Sequence, residues 1–361
     1  MGQSSVGPVP HLSTEDYAFA ARELVDGKVW DFISGGGGAE ITLEANRHIF
    51  DSTMIRPRIL VDVSKCDTSR QLLGDRWPSP IGIAPTAYHR MLHDEGELAT
   101  AQGTNGAPFV VSMFASQPLE EIAEHAAGPL WLQLYWLQRR DVLISMAKRA
   151  HQAGYRALVL TVDAPRIGRR LRDIRNEFGV PPHIRAVNID VELMASTHQA
   201  DGIAKHAALT FDQTVTWADL AWLKSLTDLP LVLKGVLTAE DAALAVEHGA
   251  DAIVVSNHGG RQLDGAVPAL RALPEVVAAV GGRCPVLLDG GIRHGRDVFV
   301  ALASGASAVL VGRPVLWALA AGGAPAVADL LSLLNTELEH TMALAGRPRV
   351  EEITRSALWL S

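Results

Sequence analysis

Eight short, continuously apolar runs constrain this 361-residue chain more than any other feature, because each is followed by a longer amphipathic segment. The runs occupy 80–87 (PIGIAPTA), 108–113 (PFVVSM), 130–136 (LWLQLYW), 157–163 (ALVLTVD), 231–235 (LVLKG), 252–257 (AIVVSN), 286–291 (VLLDGG) and 308–313 (AVLVGR). A strand with one wet face alternates apolar and polar residues. These runs do not, which is the pattern of parallel strands covered on both faces. The segments 119–127, 141–153, 238–248 and 296–304 carry apolar residues at helical spacing, and several of the intervening segments end in Ala-Gly or Gly-Ala, a helix stop. Eight strand–helix units predict an α/β fold, the (β/α)8 TIM barrel. A doubly wound open sheet is the alternative, disfavoured because no Gly-rich first turn is present.

Residues 1–79 precede the barrel and read as a helical N-terminal extension, leaving 80–361 for the barrel itself. Between the fourth and fifth runs lie 67 residues, 164–230, which is too long for a plain loop and helix and reads as a lid. His183, Arg185, Asp190, Glu192, Asp201 and Lys205 interrupt every apolar stretch there, so the lid is not expected to enter a membrane. The glycine tract at 35–38 follows no strand and reads as a linker turn rather than a dinucleotide fingerprint.

Composition narrows the classes. An apolar content of 48% excludes dominant disorder, and a net charge of −8 with scattered basic residues argues against a nucleic-acid partner. Cys66 and Cys284 alone supply neither a disulfide framework nor a thiolate metal site. His89 and His93 are four apart but lack an acidic partner, so no metal is expected. Residues 1–10 lack a basic and an apolar region of signal type. The apolar runs 298–312 and 314–328 are interrupted by Arg313 and fall short of the roughly 20 residues a span needs. A soluble, cytoplasmic protein is the expectation.

In a barrel the chemistry belongs at the C-terminal ends of the strands. Those ends carry Thr86, Ala87, Ser112, Gln133, Tyr135, Thr161, Asp163, Lys234, Asn257, His258, Arg261, Asp289, Gly290, Gly291, Arg293, Gly312 and Arg313. Any one of these can be a cap or a turn residue, but a whole polar ring costs stability unless it is used. The last two strands end in glycine-rich turns bearing Arg293 and Arg313, suited to a phosphate. Lys234 ends an apolar strand. It fits a Schiff base, a place beside an anionic or electron-rich ring, or a salt bridge to a neighbouring carboxylate.

The segment 256–264 (SNHGGRQLD) is the most informative. His258 can act as a base near neutral pH, and the two following glycines permit a turn that aims Arg261 at the same space. Arginine recognises a carboxylate bidentately. Asp163 ends the fourth strand, in the same alternate-strand set as the sixth, where it can orient His258. A base beside a carboxylate clamp points to proton abstraction from a small carboxylic acid. Trp136, Phe114 and Tyr88, near the strand tips, fit either an aromatic substrate pocket or simple packing.

These residues resemble the FMN-dependent α-hydroxy acid oxidases and dehydrogenases, a family that includes glycolate oxidase, lactate oxidase and mandelate dehydrogenase. The likeness covers about residues 14–356, with SNHGGRQLDGA (256–266) as its most specific motif. TVDAPRIGRRLRDIRN (161–176), LKGVLTAEDA (233–242) and DGGIRHGRDV (289–298) support it independently. The resemblance implies that His258 is the base and that Asp163 holds its imidazolium. It makes Arg261 and Arg170 the carboxylate and lid arginines, Tyr135 a donor to the substrate oxygen, and Lys234 a cation beside the flavin. It implies isoalloxazine contacts at Thr86, Ala87, Ser112, Gln133 and Thr161, and ribityl or phosphate contacts at Ser256, Asp289, Gly291, Arg293, Gly312 and Arg313. A tetramer is also implied.

Two departures from the family pattern bear on the substrate. Phe32 stands where most members have a carboxylate-binding tyrosine, and Phe114 where glycolate oxidase has a tryptophan. The stretches 86–99 (TAYHRMLHDEGELA) and 315–323 (VLWALAAGG) are most similar to mandelate and 4-hydroxymandelate oxidases. The implied substrate is therefore an aromatic (S)-2-hydroxy acid. Ala87 follows the oxidase-like members, which implies O2 as acceptor. A dehydrogenase with another acceptor, or an oxidase of lactate or glycolate, is the alternative. Outside this family, a flavin barrel with isomerase chemistry would need more basic residues in the lid. A catalytically dead scaffold would show a broken set of base and clamp residues.

Overall fold

The computed structural model describes residues 11–189 and 210–359, so Asp190, Glu192, Asp201 and Lys205 of the lid lie outside the described residues. Eight parallel strands close into a barrel: β1 (Ile81–Ile83), β2 (Phe109–Ser112), β3 (Leu130–Leu134), β4 (Ala157–Thr161), β5 (Leu231–Val236), β6 (Ala252–Val255), β7 (Val286–Asp289) and β8 (Ala308–Val311). Closure is made where β8 pairs β1 in parallel, Val309 opposite Ile81. The helices expected from periodicity are present at Leu119–His125, Arg140–Gln152, Ala239–Glu247 and Gly295–Ala303.

The continuous apolar runs are explained by two separate buried layers. Val110, Trp131, Val159, Val232, Val254, Leu287 and Leu310 point into the barrel, while Val111, Leu132, Leu160, Leu233, Val255, Leu288 and Val311 pack outward against the helices. Successive side chains in a strand face opposite sides, so inward residues recur every second position. That rule extends beyond the strands. Two residues past the inward layer stand Ser112, Gln133, Thr161, Lys234, Ser256, Asp289 and Gly312, and two residues further Phe114, Tyr135, Asp163, His258 and Gly291. The polar ring thus continues the inward stripe of each strand.

The N-terminal segment forms three helices, α1 (Thr14–Leu24), α2 (Gly27–Ser34) and α3 (Ile41–Ser52). Ser13 and Asp16 make a capping box on α1, which fixes its start. The expectation of a helical extension fails beyond α3. Arg70–Leu72 and Asp75–Trp77 form an antiparallel hairpin across a two-residue turn at Leu73 (φ 47°) and Gly74 (φ 86°). Positive φ at both turn positions matches the right-handed twist of a hairpin. Leu72 and Trp77 enter the inner cluster, and Trp77 meets Trp131 edge-on with ring centroids 5.6 Å apart. This hairpin stoppers the barrel at the end away from the polar ring.

The helix Arg313–Leu344 is long and apolar enough to cross a membrane by length and composition alone, although half of its most apolar window is buried in the fold. Gly322 and Gly323 leave helical geometry and divide it, and Leu316, Leu319, Leu330, Leu334 and Leu338 are buried.

Candidate active site

The strand tips open onto a pocket lined by Phe32, Thr86, Ala87, Tyr88, Ser112, Phe114, Gln133, Tyr135, Thr161, Arg170, Lys234, His258, Arg261, Asp289, Gly291, Arg293, Gly312 and Arg313. Almost every residue singled out in the sequence is therefore at one cavity. Ser256 lies just beneath it, fully buried, and joins Lys234. Trp136 does not line it. Its position is one residue out of phase with Tyr135, so it packs edge-on against Trp222 at 5.4 Å, with the Arg140 guanidinium 4.3 Å above its ring. For Trp136, simple packing is the correct reading.

The deep layer is a hydrogen-bonded band. Ser112 Oγ donates to Gln133 Oε1 at 3.2 Å, and Gln133 Nε2 donates to Thr161 Oγ1 at 3.1 Å. Lys234 Nζ donates to Ser256 Oγ at 2.9 Å and pairs with Asp289 at 2.9 Å. The salt bridge open to Lys234 is made, and because it sits within the pocket wall it is compatible with a place beside a ring. Burial pulls its ammonium down, but Asp289 and Asp163 outweigh burial and hold its pKa above the ordinary lysine value.

His258 and its partners lie above this band. Asp163 Oδ1 accepts from His258 Nδ1 at 2.8 Å, so Nε2 is the nitrogen turned to Tyr135 Oη, 3.5 Å away. Burial, with Lys234 and Arg170 nearby, lowers the imidazole pKa despite Asp163. Burial alone would raise the Asp163 carboxyl, but His258 and Lys234 keep its pKa below the usual value. The phenol of Tyr135 is pushed up to about 12, mainly by burial and then by Asp163. At neutral pH the set is a neutral imidazole, a carboxylate and an intact phenol, which is the protonation state a base and a hydroxyl donor need.

As a proton acceptor His258 would be competent only when deprotonated, and its pKa lies below the usual imidazole value. The kcat/KM for a 2-hydroxy acid should stay level through neutral pH and fall on the acid side through one ionisation under about pH 6.5. A fall that begins above pH 7 would place the proton acceptor elsewhere.

Four arginines give the pocket its charge. Arg170 and Arg261 flank the Phe32 ring at 5.6 and 5.2 Å, close to Tyr135 and His258. Arg313 donates to the carbonyls of Ile33, Gly35 and Gly259, and Arg293 lies 4.8 Å above the Trp317 ring. Burial and then neighbouring guanidiniums push Arg293 down to about 9 and Arg313 down to about 10, and Arg261 also falls well below its ordinary value. Arg170 is lowered by burial, and its Nε has no partner among the described residues. Half-buried cations with no carboxylate in ion-pair contact are costly. An anion at each pair, Arg170 with Arg261 and Arg293 with Arg313, relieves that cost.

Several structural residues were not foreseen. Asp264 accepts from Ala39 N at 2.7 Å and Thr42 N at 3.1 Å, capping α3 from within the 256–266 motif. Asn46 of α3 and Asn257 exchange two side-chain bonds of 2.9 Å in the interior. The tract 35–38 is more than a linker turn. Gly35 O accepts from both Arg261 and Arg313, and a Cβ at Gly36 would stand 2.9 Å from Gly260 O. Gly291 (φ 83°) adds a second reason for glycine, since a Cβ there would reach Asn46 O at 2.3 Å. The signal for α3 was the motif's own Asp264, to which the sequence reading gave no role. Phe211 and Ile167 also line the pocket, and neither sits at a strand tip.

The residues present suit FMN. Arg293 and Arg313 offer two half-buried cations for a phosphate, and Asp289 Oδ1 is buried without a hydrogen-bond partner, an acceptor for a ribityl hydroxyl. Lys234, Gln133 and Thr161 supply polar atoms for a heteroaromatic ring. No group of three or more potential metal-ligating side chains occurs among the described residues.

Comparison with known proteins agrees. The FMN-dependent dehydrogenase family profile matches residues 21–360. The chain is 47% identical to an L-lactate oxidase of Nostoc sp., over 96% of this chain and 97% of that protein. It is 47% identical to a 4-hydroxymandelate oxidase of Amycolatopsis orientalis, over 93% and 95%. A crystal structure of mandelate oxidase with (S)-4-hydroxymandelic acid superposes with a TM-score of 0.93 at 45% identity, covering 97% of this chain and 98% of that one. Matched along nearly its whole length, this closed barrel with its polar, arginine-bearing rim belongs to the FMN-dependent dehydrogenase family, among its 2-hydroxy acid oxidases.

Proposed function

We propose that the substrate is an aromatic (S)-2-hydroxy acid, mandelate or 4-hydroxymandelate. It is oxidised to the 2-keto acid, and O2 takes up the electrons as H2O2. The observation that carries this reading is the apolar aromatic wall beside the clamp: Tyr88 stacks on Phe114 at 6.3 Å, and Phe114 lies 5.6 Å from Tyr135. Phe32 offers the carboxylate no phenol, and the loss of that donor counts against small acids such as lactate and glycolate, which have little else to bind them. Burial of an aryl ring restores on the order of 1.5–3 kcal/mol.

FMN, when bound, supplies the two-electron acceptor. Arg261 and Arg170 bind the substrate carboxylate, each charge-assisted bond contributing about 1.5–3 kcal/mol. Tyr135 Oη donates to a substrate oxygen and orients the acid. His258 Nε2 takes the proton released from the substrate, and Asp163 stabilises the imidazolium that forms.

The test is the visible spectrum of the purified flavoprotein before and after anaerobic (S)-mandelate, and again after air is admitted. Bleaching with mandelate and rapid recovery in air is expected, with a higher kcat/KM for mandelate than for lactate or glycolate. A flavin that mandelate leaves unbleached would reject the aromatic substrate, and bleaching without recovery would reject O2 as acceptor.

A further inference from the structure

We propose that Phe211 is a specificity-determining residue, selecting an aromatic over an aliphatic side chain on the acid. This rests on the aryl-acid reading above and names the residue that would enforce it. Phe211 is 3% exposed, and its ring lies on Tyr135 at 4.7 Å with planes 21° apart. The same ring is 6.2 Å from Phe114. Phe114, Tyr135 and Phe211 therefore form a three-ring corner in the pocket, with Tyr88 as its continuation.

The corner is anchored. Leu137 and Phe211 form an antiparallel bridge, Gln138 N donates to Thr210 O at 2.9 Å, and Asp212 N donates to Trp136 O at 2.9 Å. Gln138 Nε2 adds a bond to Phe211 O at 3.3 Å. Arg140, stacked over Trp136, pairs with Asp212 at 2.6 Å. Phe211 is thus fastened to the segment just beyond β3 on both of its flanks. A fixed, flat apolar ring at such a place adds contact to an aryl group and almost none to a methyl, because a methyl does not extend to the corner while its carboxylate is held.

The experiment compares wild type with Phe211→Ala and Phe211→Leu as flavin-loaded enzymes. It measures kcat/KM for (S)-mandelate and (S)-lactate, and the Kd of benzoylformate and pyruvate from perturbation of the flavin spectrum. The mandelate-to-lactate ratio of kcat/KM should fall by about 10–100-fold in Phe211→Ala. The benzoylformate-to-pyruvate affinity ratio should fall with it, and Phe211→Leu should show a smaller change in both. Should Phe211→Ala not retain flavin, a fall in both ratios in Phe211→Leu supports the assignment and unchanged ratios overturn it. Equal losses for both acids would mean that Phe211 only positions Tyr135, which overturns the specificity role. The wild-type ratio tests the aryl reading separately: an enzyme that favours lactate rejects that reading, whereas the change in ratio on substitution decides Phe211.

Discussion

Replacing His258 with alanine should lower kcat for a 2-hydroxy acid by about 10²–10⁴-fold, the usual worth of a positioned base, while the protein still purifies with its flavin bands. The geometry supports this because Nδ1 is tied to Asp163 at 2.8 Å, leaving Nε2 as the pocket-facing base, with Tyr135 Oη 3.5 Å from it. Folding should survive. His258 sits at φ 59°, and alanine there keeps a left-handed backbone that already costs about 1–2 kcal/mol. Asp163 loses the first of its favourable partners but keeps Lys234. Steady-state kcat and the visible absorbance of the purified variant check the result together. Turnover within a few-fold of wild type would remove His258 as the base.

Lys234→Met should have the largest effect on the folded protein. Its ammonium and the Asp289 carboxylate are 5% and 8% exposed, and Asp289 Oδ1 already has no partner. Taking one member from a buried pair costs about 3–5 kcal/mol, because the other charge is stranded. Methionine keeps the length and apolar stem, so the loss reports charge rather than volume. The expected outcome is a lower denaturation midpoint together with weaker flavin retention or slower flavin bleaching by substrate. A variant equal to wild type in all three would show that the pair is not used by the site.

The barrel was legible because its strands are buried on both faces, and eight such runs leave few alternatives. Ser112, Gln133, Thr161, Lys234 and Asp289 were legible for a related reason: polar groups ending apolar strands have to be satisfied. What escaped was information that no local pattern carries. Trp136 was grouped with Phe114 and Tyr88 by proximity to the strand tips, although the two-residue period turns it outward. The hairpin 70–77 was folded into a helical extension because its strands are three residues each, too short for an alternating signature. Phe211 and the Asn46–Asn257 pair depend on contacts across 74 or more positions of chain, from Leu137 to Phe211 and from Asn46 to Asn257. Spacing along the sequence says nothing about such contacts.

The stopper made by that hairpin separates two selective pressures. Leu72 and Trp77 fill the floor of the barrel, while the base and the arginines occupy its rim. Mutational drift or laboratory evolution can therefore raise thermal robustness at the floor, around the Leu73–Gly74 turn, without revisiting the chemistry. Changes of substrate can in turn be explored at the rim on a scaffold whose foundation stays put. The two ends of this barrel are free to evolve at different rates.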